Sequence, residues 1–260
     1  MMVNAMNDDV VLTSENEGIL IVTINRPEAR NAINRAVANR IAEAMLELDT
    51  RDELRAAVIF GAGGNFCAGA DLKAIARGER AIVEDRGFAG LVQAPPSKPL
   101  ISAVEGFALG GGCEIALASD LIVAAENARF GLPEVKRGLL ANAGGLLRLP
   151  QQLPYRLALE MALTGEPIDA ATALQHGLIN RVVSKGEAFA QALALARRIA
   201  ENGPLAVAAS KRIIREAQSW AAGDQFARQA VISEPIFASE DAREGASAFA
   251  EKRQPKWTGR

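Results

Sequence analysis

Histidine is nearly absent: the 260 residues contain one, His176, in LQHGLIN at an expected helix end beside Gly177. A Ser-His-Asp hydrolase would have to rest on it alone, and a histidine-rich zinc site cannot be built. Cysteine is almost as scarce. Cys67 and Cys113 lack metal-ligand spacing and sit in glycine-rich segments that read as buried, which suits a reducing cytoplasm better than a disulfide framework. No run approaches the roughly 18 apolar residues that span a bilayer. MMVNAMNDDVVL has no basic segment followed by an apolar one, so it does not read as a secretory leader. A cytoplasmic protein without membrane contact is expected.

Neither sign of charge dominates, with 29 Lys+Arg against 31 Asp+Glu and a net charge of −2. The concentrated basic excess of a nucleic-acid partner is missing. An anionic ligand must then be held by a few local cations and by backbone amides. The phosphate loop G-x-x-x-x-G-K-[ST] and the nucleophile elbow G-x-S-x-G are absent as well. A dinucleotide fingerprint starts at Gly61 and Gly63 but fails at Phe66, where its third glycine belongs. Chemistry is left to carboxylates, main-chain amides and the substrate's own activation.

What is present is a hydrophobic fraction of 49%, enough for a sizeable core in one large domain or a domain with an appendage. VVLTS (10–14) and ILIVTI (19–24) predict an N-terminal hairpin. Val37, Ile41, Ala44, Met45 and Leu48 recur at helical spacing and predict a helix over 34–49. AAVIF (56–60), LISAVEG (100–106), LIVAA (121–125) and INRVV (179–183) predict interior strands, and 72–98 a mobile helical or loop excursion. Beyond about residue 185 the pattern is helical only, over 187–202, from Gly203-Pro204 onward and over 223–252. The fold class expected is α/β, with a catalytic domain over 1–185 and a helical region over 186–260.

Two glycine-rich turns each follow a short apolar strand: Asn65-Phe66-Cys67-Ala68-Gly69-Ala70-Asp71 and Ala108-Leu109-Gly110-Gly111-Gly112-Cys113-Glu114. Small residues let a backbone approach a ligand and aim successive amides at one point. Two such turns converging on one oxygen make an oxyanion hole. Either turn alone is equally accounted for as a tight strand-to-helix connection. Glu114 and Glu134 stand among apolar and small residues, which raises a carboxyl pKa toward neutrality. Placement in the first turn of a helix also accounts for either glutamate singly.

Together, FCAGADL (66–72), ALGGGCEIALASD (108–120) and FGLPEVKRGL (130–139) resemble the enoyl-CoA hydratase/isomerase (crotonase) family. The likeness continues through AGGLLRLP (143–150), LTGEPIDA (163–170) and EGASAFAEKR (244–253), covering essentially the whole chain. It implies a spiral of ββα units with a C-terminal helical oligomerisation region, assembled as a homotrimer or as a hexamer of paired trimers. It implies an acyl-CoA substrate and no separate cofactor, coenzyme A being part of the substrate. By this likeness the oxyanion donors fall on the amides of Ala68 and Gly111, and the acid/base pair on Glu114 and Glu134. Coenzyme A contacts fall on Ala29, Arg30, Ala68, Gly69, Ala70, Asp71 and Gly111, with Phe249 and Lys252 reaching the coenzyme A of a neighbouring subunit. Arg30 and Lys252 are also accounted for as solvated surface cations.

The paired glutamates imply reversible hydration of a 2-enoyl-CoA. A double-bond isomerase working chiefly through Glu134, a carnitinyl-CoA dehydratase-like enzyme and a non-catalytic acyl-CoA-binding protein are the alternatives. One segment departs from the family pattern: Leu140-Ala141-Asn142-Ala143-Gly144-Gly145-Leu146-Leu147 replaces the Pro-Gly-Ala-Gly-Gly-Thr-Gln usual in straight-chain hydratases. Acyl-chain specificity is therefore expected to differ.

Overall fold

The computed structural model describes residues 9–260, so the leader reading falls mainly on residues outside those described. The strands are β1 (Val11–Asn16), β2 (Ile19–Ile24), β3 (Ala56–Gly61), β4 (Ile82–Val83), β5 (Gly87–Phe88), β6 (Leu100–Val104), β7 (Phe107–Leu109), β8 (Leu121–Ala125), β9 (Arg129–Gly131), β10 (Ile168–Asp169) and β11 (Arg181–Val183). The helices are α1 (Arg35–Thr50), α2 (Leu72–Ala76), α3 (Gly111–Ala118), α4 (Gly145–Gln152), α5 (Tyr155–Thr164), α6 (Ala170–Gln175), α7 (Ala188–Ala200), α8 (Pro204–Glu216), α9 (Gln225–Phe237) and α10 (Glu240–Ala250). No helix among the described residues is long and apolar enough to cross a membrane.

The main sheet runs β1-β2-β3-β6-β8-β11. The β1–β2 pair is the expected hairpin, antiparallel and closed by Glu17-Gly18, while every other pairing in that sheet is parallel. β3 explains why AAVIF is apolar without alternation. Ala57 and Ile59 enter the larger core together with α1, whereas Ala56 and Val58 face a second core on the opposite side. α1 begins where Asn34 Oδ1 accepts the Val37 N–H at 3.0 Å, a side-chain cap.

A second, smaller set of strands positions the site. β7 lies parallel to β9, and Cys67 forms a parallel bridge with Ala108. The chain thus repeats one motif three times: a main-sheet strand, a short strand in the second layer, then a helical segment. The units are β3–Cys67–α2, β6–β7–α3, and β8–β9 followed by a 3-10 turn at Pro133–Arg137. Because the three short strands are neighbours and parallel, the segments leaving their carboxyl ends are neighbours too. Those segments are 68–71, 110–114 and 132–134.

Several expectations change. The stretch 72–98 is packed rather than a loose excursion: α2 and a β4–β5 ribbon occupy it, and Ala81, Ala89, Leu91 and Val92 join the main core. Its apolar residues fall in short separate groups at 72–76, 81–83 and 88–92, so no period betrayed them. β11 pairs only with β8 and is half-buried, an edge strand instead of an interior one. The helical stretch 223–252 divides into α9 and α10, where Ser239 Oγ accepts the Ala242 N–H at 3.0 Å. The boundary expected at 185 precedes α7, whose Ala188, Ala192 and Ala196 pack on Ile19, Val58, Ile101 and Val123 of the sheet. α7 is therefore part of the α/β body, and the helices that follow it begin at Pro204.

Candidate active site

The first glycine turn is held from below by the loop 26–33. Asn31, fully buried, accepts the Arg26 N–H through Oδ1 and donates through Nδ2 to the carbonyls of Ala62 and Asn65. The Ala68 N–H donates to Arg30 O at 3.0 Å, Ile33 N–H to Gly69 O at 2.8 Å, and Asp71 N–H to Ile33 O at 2.9 Å. The Gly69 N–H points at Cys67 Sγ, 3.3 Å away. This accounting corrects the oxyanion assignment. The Ala68 amide is spent on Arg30, whereas the Ala70 amide has no acceptor among the described residues. Ala70, not Ala68, carries the free donor of this turn.

The second turn meets the first directly. A Cβ on Gly69 would stand 2.9 Å from Leu109 O and 3.2 Å from the Gly111 nitrogen, and Gly69 itself has φ +100°. Gly110 takes φ 54° and ψ −127°, a glycine-only conformation that turns the chain from β7 into α3. Gly111 is thereby the first residue of α3, and its N–H lacks an acceptor among the described residues, as helix-opening amides do. Ala70 and Gly111 thus present two unspent amides on two touching turns, as an oxyanion hole requires. The Phe88 ring covers the other side of Gly111, where a Cβ would lie 2.5 Å from two ring carbons.

Glu114, in the first turn of α3, is buried. Its Oε1 accepts the N–H groups of Ala143 at 2.7 Å and Gly145 at 2.9 Å. Burial pushes its pKa up, while those two amides and the Arg148 charge pull the other way. Glu134 reaches the same place from the turn after β9: its Oε1 would lie 3.1 Å from a Cβ on Gly110. Its Oε2 is buried without a hydrogen-bond partner. Burial and then the neighbouring Glu114 charge raise the Glu134 pKa, opposed by its own backbone and by Arg137. Glu114 is therefore held by two main-chain donors from another segment, whereas Glu134 has only its own backbone amide and keeps one oxygen unpartnered. The cysteines stay out of the chemistry, since burial pushes the Cys67 thiol up to about 12 and raises Cys113 as well.

A cavity of about 410 Å³ opens beside Ala70, walled by Ile75, Ile82 and Phe88, with Asn142 at its rim. Asp71 lines it as well. Its carboxylate is committed elsewhere, to Arg26 at 3.0 Å and to the N–H groups of Lys73 and Ala74 at the start of α2. Ala29 and Arg30 lie in the loop beneath the first turn, and the Arg30 guanidinium sits 5.8 Å above the Phe107 ring. One chain does not bring Phe249 and Lys252 into this constellation. Phe249 is 87% exposed on α10, and among the described residues no hydrogen bond or ion pair ties the Lys252 ammonium to either turn.

Sequence reasoning missed Asn31, Phe88, Arg148 and the amides of Ala143 and Gly145. Of these, only the glycine pair at 144–145 ahead of an apolar helix carried a signal. The unpartnered Glu134 oxygen has a consequence for stability. Glu134→Gln is expected to stabilise the fold by roughly 0.5–2 kcal/mol, in the range of active-site substitutions that relieve a buried charge. Glu134's folded pKa lies above its unfolded value, so the charge is costly at alkaline pH and costless where both states are protonated. Urea unfolding at pH 8 should show the gain, and the gain should vanish below the ordinary carboxylate range.

Residues 14–260 match the model of the family described as enoyl-CoA hydratase/isomerase. A Salmonella heidelberg protein named carnitinyl-CoA dehydratase is 44% identical over 263 residues, covering 98% of this chain and all of that protein. Among solved structures, an enoyl-CoA hydratase from Mycobacterium tuberculosis is similar with a TM-score of 0.96 at 55% identity, over 97% of this chain and 100% of that one. A carnitinyl-CoA hydratase from Mycobacterium avium is similar with a TM-score of 0.78 at 49% identity, over 98% of this chain and 100% of that one.

Proposed function

The chain belongs to the enoyl-CoA hydratase/isomerase family, and from that premise we propose that it adds water reversibly across the double bond of a 2-enoyl-CoA. The observation that carries this reading is the pair of carboxylates beside two unspent amides. The Ala70 and Gly111 N–H groups bind the thioester oxygen and stabilise the enolate formed when the β-carbon is attacked. Glu114 is the base. Two backbone donors hold its Oε1 as a carboxylate, leaving Oε2 to take a proton from the attacking water. Glu134, without a donor on Oε2 and repelled by Glu114, is the protonated partner that delivers a hydrogen to the α-carbon. Two carboxyls in different hydrogen-bond settings divide the work of acid and base.

Dehydration is the same path reversed, and the relatives named carnitinyl-CoA dehydratase and hydratase favour a substrate with a polar acyl group. Asn142 at the cavity rim supports that direction. An isomerase acting through Glu134 alone leaves the two-amide grip on Glu114 without a purpose, and so does a non-catalytic binding protein. The test is turnover of crotonyl-CoA and of carnitinyl-CoA, read as loss or gain of the conjugated thioester absorbance. Binding without turnover of either sinks the reading.

The site is completed by a neighbouring subunit. Phe226 on α9 is 85% exposed, and Val231, Phe237 and Phe249 are similarly uncovered, an apolar surface that calls for a partner. Lys252→Ala is expected to raise the KM for acyl-CoA by at most about fivefold, the reach of a partly exposed ion pair, with kcat unchanged. Sedimentation should show a trimer or hexamer. A monomer with undiminished kcat/KM removes the shared site.

A further inference from the structure

We propose that Arg148 is a positioning residue for Glu114, clamping the loop that grips the base against the segment that carries Phe88. The inference rests on the hydratase reading and goes beyond it. Arg148 lies on α4, and its own N–H donates to Gly144 O at 2.9 Å. Its guanidinium folds back over the same loop, where Nη1 occupies the place a Cβ on Gly144 would need, 2.2 Å away. Nη2 crosses to the neighbouring segment and donates to Val92 O at 2.5 Å. Val92 N–H in turn bonds Phe88 O at 3.3 Å, and the Phe88 ring is the one that covers Gly111. One side chain therefore joins loop 143–145, whose amides hold Glu114, to segment 88–92, whose Phe88 lines the cavity beside Ala70.

The charge matters as well as the contacts. Arg148 has no salt-bridge partner among the described residues. Glu114 is the carboxylate that favours its charge, while Arg215 on α8, across a separate cavity of about 690 Å³, opposes it. Arg148 from α4 is the charged group that acts on Glu114, while Glu134 from the turn after β9 and the neighbouring Cys113 both feel the Glu114 charge. Of these Arg148 alone is a cation. Without it the Glu114 carboxylate is held only by its two amides and takes up a proton at higher pH.

The test compares Arg148→Gln, which removes the charge and, being two bonds shorter, the reach to Val92 O, with Arg148→Lys, which keeps the charge without the fork. Both are measured in the full-length assembled protein. In the glutamine variant the acidic limb of kcat/KM for crotonyl-CoA should move to higher pH, so that below the optimum it loses about three- to tenfold more activity than the wild type. The lysine variant should keep the wild-type limb. A glutamine variant whose profile is lowered uniformly, with no displacement, overturns the proposal and leaves Arg148 a packing residue. The Glu114 carboxylate band, isolated by infrared difference against Glu114→Gln, reads the same displacement without turnover. A wild type inactive on every enoyl-CoA would defeat the hydratase reading, and an undisplaced band in Arg148→Gln would defeat the clamp.

Discussion

Replacing Glu114 with Gln is expected to cut kcat for crotonyl-CoA hydration by about 10²–10⁴, the usual cost of losing a general base. Acyl-CoA affinity should change little, because Glu114 grips the water rather than the thioester. The fold should survive, since a glutamine oxygen can still accept the Ala143 and Gly145 amides that Oε1 now accepts. Glu134→Gln should lose a comparable factor for a different reason, since the amide cannot deliver a proton to the α-carbon. Because both carboxyls are needed, one charged and one neutral, the wild-type rate should be bell-shaped in pH. The acidic limb belongs to Glu114 and the alkaline limb to Glu134, both displaced upward from the ordinary carboxylate range by burial. Steady-state kinetics across pH separate the cases. A Glu114→Gln enzyme with full hydratase rate would contradict the two-glutamate mechanism.

Removing the Gly111 donor should cost about 10²–10³ in kcat, the loss seen when one oxyanion-hole donor is deleted. Gly111 opens α3, a position where proline is tolerated because its missing N–H would be unpaired by the helix anyway. The obstacle is Phe88, whose ring lies 2.5 Å from where a Cβ would stand. The informative variant is therefore Gly111→Pro in a Phe88→Ala background, compared with Phe88→Ala alone. Melting temperature should be close in the two proteins, and binding of free coenzyme A, which lacks the acyl oxygen, should be similar. If turnover and coenzyme A affinity fall together, Gly111 is a folding residue and not a donor.

The sequence made some of this legible and hid the rest for identifiable reasons. The hairpin and α1 followed from residue period and turn chemistry. The strand at 56–60 was legible because burial on both faces leaves an uninterrupted apolar run. Glu114 and Glu134 stood out as carboxyls in apolar company. The free amide of the first turn is that of Ala70 and not of Ala68, because which amide of a turn stays free is decided by the partner loop. Arg30 O and Ile33 O take the amides of Ala68 and Asp71, and they lie more than thirty residues away in sequence. The clamp at Arg148 was invisible for the same reason: its acceptor, Val92 O, is 56 residues distant. α7 looked like part of a helical appendage because its contact stripe is alanine, a weak hydrophobic signal but a close fit to a sheet. What the sequence did not show at Asp71 is the work of its carboxylate, which serves Arg26 and the start of α2.

The central claim is a division of labour: Glu114 activates water, while Glu134 exchanges a proton with the α-carbon of an enolate held by Ala70 and Gly111. Solvent-deuterium exchange at the α-carbon of butyryl-CoA tests it most directly, because a saturated thioester needs the oxyanion hole and Glu134 but no attacking water. The wild type and Glu114→Gln should both exchange the α-hydrogen while only the wild type hydrates crotonyl-CoA, and Glu134→Gln should do neither. Exchange that survives in Glu134→Gln and disappears in Glu114→Gln would contradict the assignment.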